Sequence, residues 1–337
     1  MASPQADLGL AYRLLCAANL AYGVTGTTES TGLLEVLQPI LPTLAAVEEL
    51  LGNLGFIPGS IHAHQSSSRY GIDAYLYGET EETAILAFRG TLPMRFSGRL
   101  TQILGDWLNN TQTALVEGKP LGIPGQIHEG YAESLENLWH SPGGISGLLA
   151  RVAKATAGGR RLLVTGHSKG GALAALVALR LAETGVPELT PAGVFTFGAP
   201  RAGNLDFAAA FQSAFGGSAW RFEYQDDIVP HLPPSENFWL ALQEAVSRLL
   251  DKPAAWPWPA VVANALALKE LGGYAPVGQL QFIDWNGRLR TDDTAALRSE
   301  RREHLTRTLT TALLEINRDH LPMRGYGYMN FLEASRR

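Results

Sequence analysis

The chain has 337 residues, 46% hydrophobic and 18% charged, with 36 Gly, 19 Pro and a mean hydropathy near zero. This balance excludes a disordered chain, a collagen-like repeat and a coiled coil, and leaves either a generous core or apolar surface that meets something greasy. A net charge of −5 supplies no positive field for phosphate backbones, so no nucleic-acid partner is expected, and the single cysteine, Cys16, excludes an intrachain disulfide and a cysteine-built metal site.

In chain order, the start Met1-Ala-Ser-Pro4 lacks a basic n-region, so no cleavable signal is expected in this numbering. Residues 7 to 22 place Leu8, Ala11, Leu14, Leu15, Ala18 and Tyr22 at helical spacings, which predicts an amphipathic helix with Cys16 as a small buried hydrophobe. A second apolar helical stretch, Leu33 to Leu51, carries Pro39 and Pro42, which kink or split it. Asp73 to Tyr77 and Thr83 to Phe88 read as a strand pair, the second apolar enough to be covered on both faces. Arg161–Thr165 and Gly193–Phe197 flank an Ala/Leu helix from Gly170 to about Glu183, a βαβ unit. Trp220–Tyr224 and Leu280–Asp284 read as further strands, and Arg298 to about Asn317 as a closing charged helix. The apolar runs are broken before the ~18 residues a span needs, so no transmembrane segment is expected.

Gly166-His-Ser168-Lys-Gly170 follows a predicted strand and opens a predicted helix, the context of a nucleophile elbow. A serine in such a strained turn presents its hydroxyl outward only if the positions two before and two after lack side chains. The helix N-terminus behind it favours a developing oxyanion. Ala87-Phe-Arg-Gly-Thr91 ends a strand where a second oxyanion donor should lie, and Asp226-Asp-Ile-Val-Pro-His-Leu-Pro-Pro234 offers a carboxylate at another strand end.

The runs AFRGT, DWLNN, IHEGY, TGHSKGGALA, TFGAPRAGN and DIVPHLPP, in that order, resemble the class 3 lipase family, over roughly residues 70 to 330. The resemblance implies an α/β-hydrolase fold: one domain over 1–337, a mostly parallel sheet with helices on both faces, a candidate lid at 92–107 and a candidate cap insertion at 236–271. It implies a Ser-Asp-His chain order, with Ser168 as nucleophile and Asp227 as acid, and Asp226 as the fallback. His62, His64, His128 and His140 precede the elbow, His167 lies inside it, and His231 lies in the DIVPHLPP run. Of His304 and His320, the latter matches the family's late Asp-His-Leu. The backbone N–H groups of Thr91 and Lys169 are the implied oxyanion hole, with the Thr91 hydroxyl as a third donor.

Three departures stand out. Lys169 replaces a common Leu and is expected to point to solvent, or else to attract anionic lipids; Asn110 stands where relatives often have Asp; Pro276 stands where they usually have His. The implied activity is that of a carboxylic ester hydrolase without cofactor or metal, acting on acylglycerols or related esters, with a lipid–water interface as a candidate setting. Phospholipase A1-type, short-chain or feruloyl-type esterase activity, and a non-catalytic lipid-binding module, are the alternatives. Localisation stays open between the cytoplasm and export without a cleavable signal, and oligomeric state is not indicated.

Overall fold

Thr83-Ala-Ile-Leu-Ala-Phe88 is apolar at every position but the first, and in the computed structural model of the protein it is a strand buried along its whole length. The structure describes residues 5–24, 51–91 without 53, 58, 69 and 70, then 114–233, 273–311 and 318–336. The expected lid at 92–107, the cap at 236–271, Asn110 and nearly all of the Leu33–Leu51 helix lie outside these residues.

The elements run α1 (Leu8–Ala21), β1 (His62–Ser68), β2 (Gly71–Glu79), β3 (Thr83–Phe88), β4 (Leu115–Glu117), β5 (Gln126–His128), α2 (Glu129–His140) and α3 (Ile145–Ala157). Then come β6 (Arg161–His167), α4 (Lys169–Glu183), β7 (Gly193–Phe197), β8 (Gly203–Asn204), α5 (Leu205–Phe215) and β9 (Ala219–Tyr224). The described chain closes with β10 (Tyr274–Ala275), β11 (Gln279–Ile283), β12 (Leu289–Arg290), α6 (Ala295–Thr311) and α7 (Gly327–Ala334).

Among the described residues the main sheet has eight strands in the order β1-β2-β3-β6-β7-β9-β11-β12. From β3 through β11 neighbours are parallel, whereas β1 and β2 at one edge and β12 at the other are antiparallel. This is the α/β-hydrolase fold expected from the resemblance. Both faces are covered, and β3 shows how: Ala84, Leu86 and Phe88 pack with α2, α3, α4 and α5, while Ile85 and Ala87 pack with α1 and α7. A strand whose alternate residues enter two cores reads as a continuous apolar run. Helix α4 is buried along nearly its whole length, and its buried residues include the small Gly170, Gly171, Ala172, Ala174, Ala175 and Ala178.

Capping sets several boundaries. Asp7 accepts from the Leu10 amide at 3.0 Å and starts α1. Thr294 accepts from the Leu297 amide at 3.2 Å, which starts α6 three residues earlier than the charge pattern suggests. Strand β1 was not expected: His-Ala-His-Gln-Ser-Ser-Ser is polar, and it becomes a strand through a seven-pair antiparallel ladder with β2 at the sheet edge. The small antiparallel sheet β10-β8-β5-β4 was not expected either, since two- and three-residue strands carry no periodicity. Its β10 stops at Pro276, which has no N–H to continue a ladder.

Candidate active site

The sharp turn between β6 and α4 places Ser168 at φ 56° and ψ −134°, one of two described non-glycine residues with positive φ. Such a conformation costs on the order of 1–3 kcal/mol and survives because the surroundings enforce it. The Ser168 amide donates to Phe197 O at 2.9 Å, and Ser168 O accepts from the Gly171 amide at 2.8 Å. The flanking glycines are steric necessities: a Cβ on Gly166 would lie 2.1 Å from Gly170 O, and one on Gly170 would lie 2.2 Å from Phe88 O.

The structure brings Ser168, Asp227 and His320 into one hydrogen-bonded line. His320 Nε2 is 2.9 Å from Ser168 Oγ, and its Nδ1 is 2.9 and 3.0 Å from the two oxygens of Asp227. Asp227 is wholly buried while the His320 ring is 22% exposed. The carboxylate also accepts from the Val229 amide at 2.9 Å and from the Tyr328 hydroxyl at 2.6 Å. Burial, reinforced by the charge of Asp227, holds the Tyr328 phenol well above its usual range, so it stays a neutral donor. A Cβ on Gly198, which has φ +55°, would lie 2.7 Å from Asp227 Oδ2 and 3.1 Å from His320 Nδ1.

Asp226, the fallback acid, points elsewhere. Its oxygens accept from Trp285 Nε1 at 3.1 Å and from the Thr308 hydroxyl at 2.7 Å. Its amide donates to Asp319 Oδ2 at 3.1 Å, which ties the residue before His320 to the turn before Asp227. His304 is not in the site: its ring stacks on Trp285 with centroids 3.7 Å apart. His231 sits beside Arg301 at 3.3 Å, and burial followed by the nearby guanidinium groups holds it neutral.

Lys169 departs from the solvent-facing expectation. Its ammonium is buried and lies 2.8 Å from Asp73 Oδ1 of β2, itself 1% exposed. The contact is an ion pair, off-axis for a hydrogen bond, and Asp73 Oδ2 accepts from the Ser68 hydroxyl at 3.0 Å. The physical reason is that a carboxylate enclosed beneath the elbow needs a counter-charge, and the first turn of α4 faces β2 at that point. His128, close by, is driven down to about 3 by burial and then by the charge of Lys169. The Lys169 backbone is unaffected: as first residue of α4 its amide has no intrahelical acceptor. The exposed Thr91 follows Gly90, whose added Cβ would be 2.9 Å from Ser168 Cβ.

Asp73, Gly198 and Tyr328 carried no chemical signal in the sequence. Gly198 lies within the TFGAPRAGN run and Tyr328 in a Gly/Tyr-rich segment, but only the fold directs them at Asp227. Among the described residues no group of three His, Cys, Asp or Glu side chains could hold a metal ion, and no helix is long and apolar enough to cross a membrane.

A parallel sheet with a strained serine between strand and helix, a histidine at its hydroxyl and a buried aspartate behind is the constellation of the α/β-hydrolases. Residues 86–237, a little under half of the chain, match the family described as Lipase (class 3). It is 34% identical over 124 residues to the secreted mono- and diacylglycerol lipase 1 of Fusarium solani, covering 34% of each chain. It is 32% identical over 113 residues to phospholipase A1-II 1 of Oryza sativa subsp. indica, covering 34% of this chain and 28% of the relative. Matches of this kind span between 19% and 37% of the relatives' own length. In three dimensions the chain resembles the Rhizomucor miehei lipase in its propeptide complex, with TM-score 0.57, 18% identity and coverage of 97% of this chain and 81% of the other. It also resembles the Lip2 lipase of Yarrowia lipolytica, with TM-score 0.57, 18% identity and coverage of 97% and 96%. At that identity the likeness is one of fold.

Proposed function

We propose that the protein is a serine ester hydrolase that cleaves acylglycerols or related carboxylic esters through an acyl-enzyme. The observation that carries the reading is the unbroken line from Asp227 through His320 to the hydroxyl of a serine held at φ 56°. His320 Nε2 takes the Ser168 proton as Oγ attacks the ester carbonyl carbon. Asp227 keeps the proton of the neutral imidazole on Nδ1 and stabilises the imidazolium that forms. The tetrahedral oxyanion is met by the amides of Lys169 and Thr91, each such donor contributing about 3 kcal/mol in the transition state. His320 then gives its proton to the departing alcohol, and water attacks the acyl-enzyme by the same route in reverse.

Similarity to a mono- and diacylglycerol lipase supports the acylglycerol class, and similarity to a phospholipase A1 supports a second reading in which a glycerophospholipid is cleaved. The test is hydrolysis of a chain-length series of p-nitrophenyl esters, emulsified triacylglycerol and phospholipid vesicles by wild type and Ser168→Ala. Loss of all activities in Ser168→Ala is expected; retention of any one removes Ser168 as its nucleophile. Preference for phospholipid over triacylglycerol selects the second reading. Action at a lipid–water interface is part of the proposal, and predicts a rate that jumps as a short-chain triacylglycerol passes its solubility limit.

A further inference from the structure

Tyr22 caps the C-terminus of α1 and is buried at the centre of the molecule, yet no step of the proposed reaction uses it. Its hydroxyl lies 2.8 Å from His167 Nδ1, and the other ring nitrogen, Nε2, lies 2.7 Å from the backbone carbonyl oxygen of His320. A carbonyl oxygen only accepts, so His167 carries its proton on Nε2 and donates it to His320 O. Its Nδ1 is then an acceptor, and the Tyr22 hydroxyl is the donor. His167 stays neutral because burial, and then the neighbouring His320, hold it well below the ordinary histidine range. The Tyr22 oxygen meets a third group, for it lies against the backbone of Gly90. The approach is so close that a Cβ on Gly90 would sit 2.1 Å from Tyr22 Oη and 2.7 Å from His167 O.

We propose that Tyr22 and His167 form a positioning relay that sets the loop bearing Gly90 and Thr91 in register with the backbone of His320. This deepens, and rests on, the hydrolase reading above. Tyr22 O–H and His167 Nε2–H donate in one direction, each to the next group, and end on the carbonyl of the residue proposed as general base, while Gly90 packs against the Tyr22 oxygen at the other end. The relay passes beneath Ser168, so the oxyanion donor on one side and the base on the other share one support. A tilted contact between the His167 and His320 rings, with centroids 4.6 Å apart and planes at 37°, adds a second contact to the same end. The described turn at His320 is also held by Asp319 to the Asp226 amide and by the Asp227 carboxylate. Neither Tyr22 nor His167 touches the reacting atoms, so both are positioning residues. Tyr22 lies outside residues 86–237, which makes α1 part of the apparatus rather than a peripheral layer.

The experiment uses the full chain, a soluble p-nitrophenyl ester and labelling by a fluorophosphonate, in wild type, Ser168→Ala, Tyr22→Phe, His167→Leu and His167→Gln. Misplacement of oxyanion donor and base predicts that Tyr22→Phe lowers kcat by roughly 10- to 100-fold with KM within about twofold. Gln can present an acceptor oxygen and a donor nitrogen in place of the two ring nitrogens, so His167→Gln should keep about tenfold more of kcat than His167→Leu. A folded Tyr22→Phe with wild-type kcat overturns the relay. Should Tyr22→Phe fail to fold, the His167 pair decides: Gln no better than Leu overturns it as well. A wild type that labels at Ser168 while the relay fails keeps the hydrolase reading; a wild type that neither labels nor hydrolyses removes both.

Discussion

The Lys169–Asp73 pair lies at the first residue after the serine, where an ammonium and a carboxylate face each other at 2.8 Å with side-chain exposures of 9% and 1%. At an effective dielectric constant of about 20 the gross attraction at this distance is about 6 kcal/mol, most of it offset by taking two charges out of water. Removing one partner strands the other, and that costs about 3–5 kcal/mol. Lys169→Leu and Asp73→Leu should therefore each destabilise by this amount. With an unfolding entropy of about 0.7 kcal/mol per kelvin for a chain of this length, the Tm should fall by about 4–7 °C. The double variant Lys169→Leu/Asp73→Leu leaves no stranded charge and should return to within about 1–2 kcal/mol of wild type. Urea unfolding of the four proteins reads the cycle. Single variants within about 1 kcal/mol of wild type, or a double variant whose loss is the sum of the singles, would refute the reasoning, because the pair would then behave as an exposed one.

Other substitutions separate the neighbours of the triad. His320→Ala should abolish ester hydrolysis, whereas His304→Ala should leave kcat unchanged and cost about 1 kcal/mol of stability from its stack on Trp285; the reverse pattern in kinetics and melting moves the base to His304. Gly198→Ala should lose activity by more than about 100-fold while remaining folded, because its Cβ enters the space between Asp227 and His320; wild-type turnover would show that the dyad can shift aside. Tyr328→Phe removes a buried donor to Asp227 at 2.6 Å and should lower kcat about tenfold with KM preserved; equal effects on kcat and KM, or none, would count against it. Buried His128, His167 and His231 have pKa values lowered below that of the unfolded chain, so the unfolded state binds more protons in acid. Stability is complete above pH ~6.5 and should fall as pH drops from there toward about 3, by up to about 1.4 kcal/mol per pH unit for each histidine. A urea midpoint that is flat between pH 7.5 and 5 would mean that these rings are hydrated.

The central strands and the elbow helix were legible because their signals are local. Thr83–Phe88 and Gly193–Phe197 are apolar runs with no alternation, as a strand covered on both faces must be, and the structure gives them those bounds. The spacing of Gly166, Ser168 and Gly170 is readable for the same reason, since each glycine answers a clash within a single turn. β1 was not legible, because its polar residues become a strand only by pairing with β2. Neither were the strands of the small sheet, which are too short to show a period.

The site divides along the same line. The order of motifs was enough to nominate Ser168, Asp227, His320, Thr91 and Lys169, because motif residues are set by what the adjacent backbone must do. Tertiary structure alone decided that Asp227 rather than Asp226 faces His320, since adjacent side chains in a turn diverge and sequence does not say which way each points. It alone turned Lys169 from solvent to Asp73, brought Tyr328 to Asp227, and set Tyr22 between Gly90 and His167. Those contacts join residues from 68 (90 minus 22) to 145 positions apart, held by packing and buried charge, and no local pattern encodes a partner at that distance.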